Sequence, residues 1–198
     1  MKDIFIDNKL VVASHNQGKI KEFKKMLAPF GVEVFSAIDI DLPDVEETGT
    51  TFVENALLKA KESAAHCGLT VIADDSGLCV NMLDGRPGVY SARYAPNRDF
   101  DKGMDKLINE MSETNSDDWS AYFTCTLALV TPDGKEHLYE GRIDGTIITT
   151  KKGGGFGFDP IFVPNGYDKT FGEISGEEKN KISHRGLALE KFVNDVFK

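Results

Sequence analysis

A buried strand and two adjacent acids meet in the segment Val71-Ile72-Ala73-Asp74-Asp75-Ser76-Gly77-Leu78. The apolar run from Leu69 to Ala73 is typical of a strand inside a sheet, and Ser76-Gly77 predicts a turn directly after the acids. Because side chains alternate across a strand, Asp74 and Asp75 should point to opposite sides of it. Paired acids at this position suit a hard cation such as Mg²⁺. The alternative is a solvated turn in which one carboxylate accepts a backbone hydrogen bond.

An anion-binding loop is predicted near the N-terminus. The strand Leu10–Ala13 runs into the polar loop Ser14–Lys19, and apolar residues then recur at helical spacing as far as Pro29. The N-H groups and the dipole of a helix N-terminus attract anions, and Lys19 adds a full positive charge. A second interpretation stays open, in which Ser14 and Asn16 only cap the helix.

Another helix is predicted to begin after Thr51 and to end at Gly68. Thr51 and Glu54 have the spacing of a capping box, and the helix follows an acidic loop that spans residues 39–47. Asn55 and Lys59 are four residues apart and therefore share one helix face. Lys59 is either a solvated helix residue or part of a binding site.

The C-terminal third contains a second group of candidate binding residues. Two long strands, 122–131 and 137–148, form a predicted hairpin, and the glycine-rich segment 153–160 follows them. Phe156 and Phe158 within that segment are interpreted as a platform for a flat base rather than as core, the alternative being a floppy connection. His184 and Arg185 precede the last helix and either contact a ligand or lie on the surface.

The composition excludes several classes of protein. The 198 residues carry a formal net charge of −9 without a basic stripe, which argues against nucleic-acid binding. No apolar run approaches membrane-spanning length, so we expect no membrane association and, by default, a cytoplasmic location. The three cysteines and four histidines show neither a disulfide framework nor zinc-ligand spacing.

Six motifs, each weak alone, occur together in this chain: Ser14–Lys19 (SHNQGK), Glu46–Ala56 (EETGTTFVENA), Ala73–Leu78 (ADDSGL), Gly85–Tyr94 (GRPGVYSARY), Gly155–Pro160 (GFGFDP) and Ser183–Gly186 (SHRG). Their order resembles that of the inosine triphosphate pyrophosphatase family, which hydrolyses non-standard purine nucleoside triphosphates (ITP, dITP, XTP) to the monophosphate and pyrophosphate. Two departures are minor: Ser14 stands where threonine is common, and Phe158 where tyrosine or tryptophan is common.

The resemblance implies an α/β fold, with an elongated mixed β-sheet flanked by helices and two lobes with the active cleft between them. The whole chain, 1–198, would be one domain that forms a homodimer. Asp75 would be catalytic, and Asp75 and Glu46 would bind Mg²⁺. The substrate-binding residues it implies are Ser14, His15, Asn16, Gln17, Gly18, Lys19, Lys59, Ser76, Phe156, Gly157, Phe158, Asp159, Lys179, His184 and Arg185.

Three rival functions are considered. A sensor that binds purine nucleotides without hydrolysis would not need the acids Asp75 and Glu46. An aspartyl phosphatase usually pairs its acids as D-x-D and releases phosphate rather than pyrophosphate. A pyrophosphatase for modified pyrimidine nucleotides is disfavoured by the aromatic segment and by the pair His184-Arg185.

Overall fold

A mixed β-sheet of six strands carries the fold of residues 4–198, which are the residues that the computed structural model describes. The strands lie in the order β2-β1-β3-β4-β5-β6. β1 is parallel to β2 and β3, whereas β5 and β6 are antiparallel, so the predicted α/β class and mixed sheet are confirmed. The elements are β1 (Lys9–Val12), α1 (Gln17–Leu27), β2 (Glu33–Ser36), α2 (Phe52–Cys67), β3 (Val71–Val80), α3 (Phe100–Ser112), β4 (Ser120–Val130), β5 (Glu136–Ile147), β6 (Phe162–Pro164), α4 (Gly176–Ile182) and α5 (His184–Phe197).

The chain divides into two compact units. The first unit comprises the described part of Met1–Asp75 together with Thr126–Glu140 and Ala188–Lys198; the second comprises Ser76–Cys125 and Gly141–Leu187. The chain passes from one unit to the other within β3, within β4, within β5 and within α5. A single domain with a cleft between two lobes stays a prediction.

Small residues on α2 let this helix lie close to the sheet in the first unit. Ala56, Ala60 and Ala64 are buried against Val71 and Ala73 of β3. The helix begins where predicted, because the Thr51 side chain accepts from the Glu54 N-H and the Glu54 side chain returns to the Thr51 N-H. It ends at Gly68, whose φ of 66° is left-handed. Asn55 and Lys59 are thereby held at fixed positions on α2.

Aromatic and aliphatic side chains fill the core of the second unit. Leu107 and Met111 of α3 are buried in one cluster with Phe123, Phe158 and Phe162. Asp99 caps α3, since its side chain accepts from the Lys102 N-H. The glycine-rich segment is anchored to this core by Phe158.

The predicted turn at Ser76-Gly77 is wrong. β3 continues through the acids as far as Val80, and the chain turns only after it, where Gly85 has a φ of 82°. Beyond the acids, the Leu78 N-H donates to the buried Ser91 Oγ at 2.9 Å. A strand whose polar groups are satisfied in this way can stay buried without turning towards solvent.

No helix formed by residues 4–198 has the combination of length and hydropathy that crossing a membrane requires.

Candidate active site

The loop before α1 is organised by Asn16. Its Oδ1 accepts from the Gly18 N-H at 2.9 Å and from the Lys19 N-H at 3.2 Å, and its own N-H donates to Ser14 Oγ at 3.2 Å. The capping interpretation is therefore correct for Asn16, and two of the N-H groups expected to face an anion already have an acceptor. Gln17 and Gly18 are exposed in the first turn of α1.

Lys19 is held in place by an acid of β3. Its Nζ lies 2.8 Å from Oδ2 of Asp74, whose side chain is only 2% exposed. The pair fixes the ammonium at the N-terminus of α1, where the helix dipole is positive. Asp74, which the sequence left without a role, is thus the residue that positions Lys19.

Lys59 bridges the acidic loop and β3. Its Nζ lies 2.5 Å from Glu47 Oε1 and donates to the Asp74 carbonyl oxygen at 2.6 Å. Burial acts to lower the pKa of Lys59, but Asp74, Asp75 and Glu47 outweigh it and the pKa is raised. Lys59 is therefore a permanent positive charge in the first unit, and the solvated interpretation is wrong.

Asp75 is a buried carboxylate with an unusual proton affinity. Asn55 Nδ2 donates to its Oδ2 at 3.0 Å. Burial raises the pKa of Asp75 to about 6; Glu47 and Asp74 act in the same direction, while Lys59 and Asn55 oppose them. A carboxylate that ionises near neutral pH can accept a proton from water, as general base catalysis requires.

The two acids point to different helices, as the alternation along the strand predicted. Asp74 contacts Lys19 of α1, and Asp75 contacts Asn55 of α2. Asp74, which positions Lys19, and Asp75, which is suited to chemistry, are therefore neighbours in sequence that face different partners.

The carboxylates of the first unit fit a hard divalent cation. Glu47 and Asp74 both act on Asp75 electrostatically, so three carboxylates lie near Lys59. Within residues 4–198, no group of three or more His, Cys, Asp or Glu side chains is preassembled as a metal site. Mg²⁺ needs only one or two protein carboxylates, because water and phosphate oxygens complete its shell.

Glu46, the predicted second metal ligand, is exposed, whereas Glu47 is half-buried against Lys59. Sequence reasoning gave Glu47 no role, because an irregular acidic loop has no periodicity that distinguishes adjacent residues. Glu46 stays a prediction, and Glu47 is added as a candidate.

His15 connects the polar loop Ser14–Lys19 to the acidic loop. Its Nε2 lies 3.3 Å from the Leu42 carbonyl oxygen and its Nδ1 lies 3.7 Å from Asp44. A small, open pocket lies beside these residues in the first unit. Its lining is Ala13, His15, Ala37, Pro43, Asp44, Val45, Lys59 and Ser63.

In the second unit, Asp159 shapes the glycine-rich segment. Its Oδ2 accepts from the Phe156 N-H at 2.8 Å and lies 2.5 Å from Lys179 Nζ. A Cβ on Gly155, whose φ is 101°, would lie 2.6 Å from that same oxygen, so only glycine fits there. Asp159 and Lys179, both predicted to contact substrate, are therefore brought together and hold the segment in shape.

Phe156 and Phe158 have different environments. The side chain of Phe156 is 54% exposed, whereas that of Phe158 is 1% exposed inside the core of the second unit. The interpretation of both rings as a platform is wrong for Phe158, because a glycine-rich segment can turn one of two aromatic residues into the core. Phe156 is the ring available to a ligand.

The start of α5 supplies further polar groups in the same unit. Arg185 Nη2 donates to Ser76 Oγ at 3.1 Å, so two predicted binding residues are in contact. His184 is buried and stacks on Phe123, with ring centroids 4.9 Å apart and an interplanar angle of 11°. The surface alternative for His184 is thereby excluded.

Comparisons with known proteins agree with these features. The Ham1 family model matches residues 10–195. A dITP/XTP pyrophosphatase of Gluconobacter oxydans is 45% identical and aligns over 98% of this chain and 93% of its own. One from Oceanobacillus iheyensis is 46% identical, with coverage of 95% and 99%.

Solved structures show the same fold. The Staphylococcus aureus Ham1 protein superposes with a TM-score of 0.86 at 42% identity, covering 95% of this chain and 97% of that one. A HAM1 protein from Coxiella burnetii gives a TM-score of 0.91 at 37% identity, with coverage of 95% and 98%. The family relationship that the six motifs predicted is confirmed, and the chain belongs to the Ham1 family.

Proposed function

We propose that this protein hydrolyses non-standard purine nucleoside triphosphates, namely dITP, XTP and ITP, to the monophosphate and pyrophosphate. The observation that carries the proposal is the buried carboxylate of Asp75, with a pKa of about 6 in the same unit as the cations Lys19 and Lys59. The relatives named dITP/XTP pyrophosphatase supply the reaction and the substrate class.

Asp75 takes a proton from the water that attacks the α-phosphorus. Asn55 orients the carboxylate by donating to its Oδ2. Lys19 and Lys59 stabilise the negative charge that develops on the phosphates, since phosphoryl transfer depends mainly on positioning and charge. The carboxylates of Asp75 and Glu46 would hold Mg²⁺, with Glu47 nearby, and when bound the ion supplies Lewis-acid polarisation of water and charge neutralisation.

The base is recognised by residues of the second unit. Phe156 offers an exposed ring on which a flat purine can stack. Lys179, His184 and Arg185 supply donors suited to the 6-carbonyl of hypoxanthine or xanthine. Adenine presents an amino group there, and leaving buried donors unpaired can discriminate by a factor of about 10⁴.

The protein is further proposed to act as a homodimer, as the family resemblance implies, and to be located in the cytoplasm. Light scattering on purified protein tests the oligomeric state: a mass near twice 21.8 kDa is expected, and a monomer at working concentration would contradict it.

A substrate panel tests the proposal. Pyrophosphate release is measured with dITP, XTP, ITP, dATP and dGTP, each with Mg²⁺ and with excess EDTA. The expected result is release from the first three, abolished by EDTA. A protein that binds dITP without turnover is the sensor, release of orthophosphate indicates a phosphatase, and equal rates for dITP and dATP would contradict the account of the pocket.

A further inference from the structure

The glycine-rich segment of the second unit packs against the first turn of α3. Phe100, the first residue of α3, packs edge-to-face against Phe156 with ring centroids 5.0 Å apart and an interplanar angle of 63°. It makes a second such contact with Phe158, at 5.9 Å and 83°. One ring of α3 therefore contacts both the exposed and the buried phenylalanine of the segment.

The chain that leads into the segment is tied to the same helix. Lys151 Nζ lies 2.7 Å from Asp101 Oδ1 and 2.6 Å from Asp105 Oδ1, and it also donates to the Asp101 carbonyl oxygen at 3.1 Å. Asp101 and Asp105 are four residues apart and so lie on one face of α3. The ammonium of Lys151 thus fixes where the glycine-rich segment begins.

The ring of Phe100 also covers backbone within the segment. A Cβ placed on Gly157, whose φ is 67°, would lie 3.6 Å from Phe100 Cε1. On the other side of Phe156, its N-H is held by Asp159 Oδ2. The backbone of Phe156 is therefore fixed by Asp159, while its side chain is contacted by Phe100.

We propose that Phe100 is a positioning residue for base recognition, which holds the ring of Phe156 in one orientation before the purine binds. The inference rests on the proposed function and names a further residue that sets affinity for the base. An exposed phenylalanine without such a neighbour populates several rotamers, and ordering it on binding lowers affinity. With Phe100 in contact, the exposed part of Phe156 is already ordered.

Replacement of the ring tests the proposal. Phe100→Ala is expected to raise KM for dITP about tenfold, as two lost aromatic contacts of ordinary strength suggest. Turnover at saturating dITP should stay within about twofold, because residues of the first unit carry the reaction. Inhibition by pyrophosphate should not change, and Phe100→Tyr should restore KM, because its ring makes the same edge-to-face contact.

A matched control removes an aromatic pair elsewhere. Phe30 stacks on Phe197 in the first unit with centroids 4.5 Å apart, so Phe30→Ala should lower the melting temperature and leave KM for dITP unchanged. If Phe100→Ala leaves KM unchanged, the proposal is wrong. If Phe100→Ala lowers turnover, raises KM and weakens inhibition by pyrophosphate all together, Phe100 has a structural role only.

Failure of the proposed function gives a different result. Binding of inosine 5′-monophosphate, measured by calorimetry, does not require turnover. A wild-type protein that binds this nucleotide without hydrolysing dITP refutes the reaction, while weaker binding by Phe100→Ala still supports the positioning role. If the wild type neither binds this nucleotide nor hydrolyses dITP, both proposals are overturned.

Discussion

Asp75 combines burial with the charge that the proposed reaction requires. Asp75 is only 5% exposed. Because its pKa is raised to about 6, its ionised form destabilises the folded protein at neutral pH. Asp74, its neighbour, instead pairs with Lys19 at 2.8 Å. Substitutions of the two adjacent acids are therefore expected to have opposite effects on stability.

Asp75→Asn is expected to stabilise the metal-free protein at pH 7.5 by about 1–3 kcal/mol, since a shift of one pKa unit corresponds to about 1.4 kcal/mol. The folded pKa, about 6, lies above the ordinary value of 3.8. Stability contributed by the protonated form is thus complete below pH 4 and is lost as the pH rises through 6. The difference between variant and wild type should grow over this range.

Urea unfolding in EDTA at several pH values measures this difference. Asp74→Asn is the matched control and should be destabilising, because it leaves Lys19 beside a neutral amide. Equal stability of Asp75→Asn and wild type at pH 7.5 would contradict the assignment.

Asn55 links Asp75 to the chain that precedes α2. It donates to Asp75, and its Oδ1 accepts from the Gly49 N-H at 2.8 Å, with Asn55 itself fully buried. Asn55→Ala should cost about 1–3 kcal/mol, because it leaves the partly buried Gly49 N-H unpaired. It also removes a contact that lowers the pKa of Asp75, so the acidic limb of the pH–rate profile should move to higher pH. An unmoved limb would mean that another group titrates.

Lys19 and Lys59 could be named from the sequence, because the start of α1 and one face of α2 define their positions, and the family resemblance selected Asp75. The position of Glu47 beside Lys59 and the burial of Phe158 could not be predicted. Glu47 lies in an irregular loop, and Phe158 lies in a segment whose glycines allow either orientation of the ring, so only tertiary packing decides.

Among the elements, α2 was predictable and β3 was not. The capping box of α2 depends on residues three apart in the chain, whereas the continuation of β3 past Gly77 depends on Ser91, which is 13 residues away from Leu78. Local sequence signals predict the helix, whereas the extended strand involves a contact between residues that are distant in sequence.

Thr51→Ala is expected to lower the free energy of unfolding by about 1 kcal/mol, because the Glu54 N-H loses its acceptor at the N-terminus of α2. Thr51→Ser keeps the hydroxyl and should retain most of the stability. Chemical denaturation of both variants measures the effect, and equal losses for serine and alanine would show that the hydroxyl does not cap the helix.

For the whole molecule, the α/β class and the mixed sheet were implied by the family resemblance, and both are confirmed. The resemblance also implied two lobes, but the positions at which the chain passes from one compact unit to the other were not predicted, since three strands each contribute to both units. Where a continuous strand passes from one core to another is set by packing and leaves no turn signal in the sequence.

The most direct measurement is pyrophosphate release from dITP by wild type and by Asp75→Asn, with nucleotide binding measured in parallel. The account predicts that the variant loses turnover by a factor of about 10³, the usual size of a general-base effect, while it still binds the nucleotide. Turnover by Asp75→Asn at the wild-type rate would contradict it.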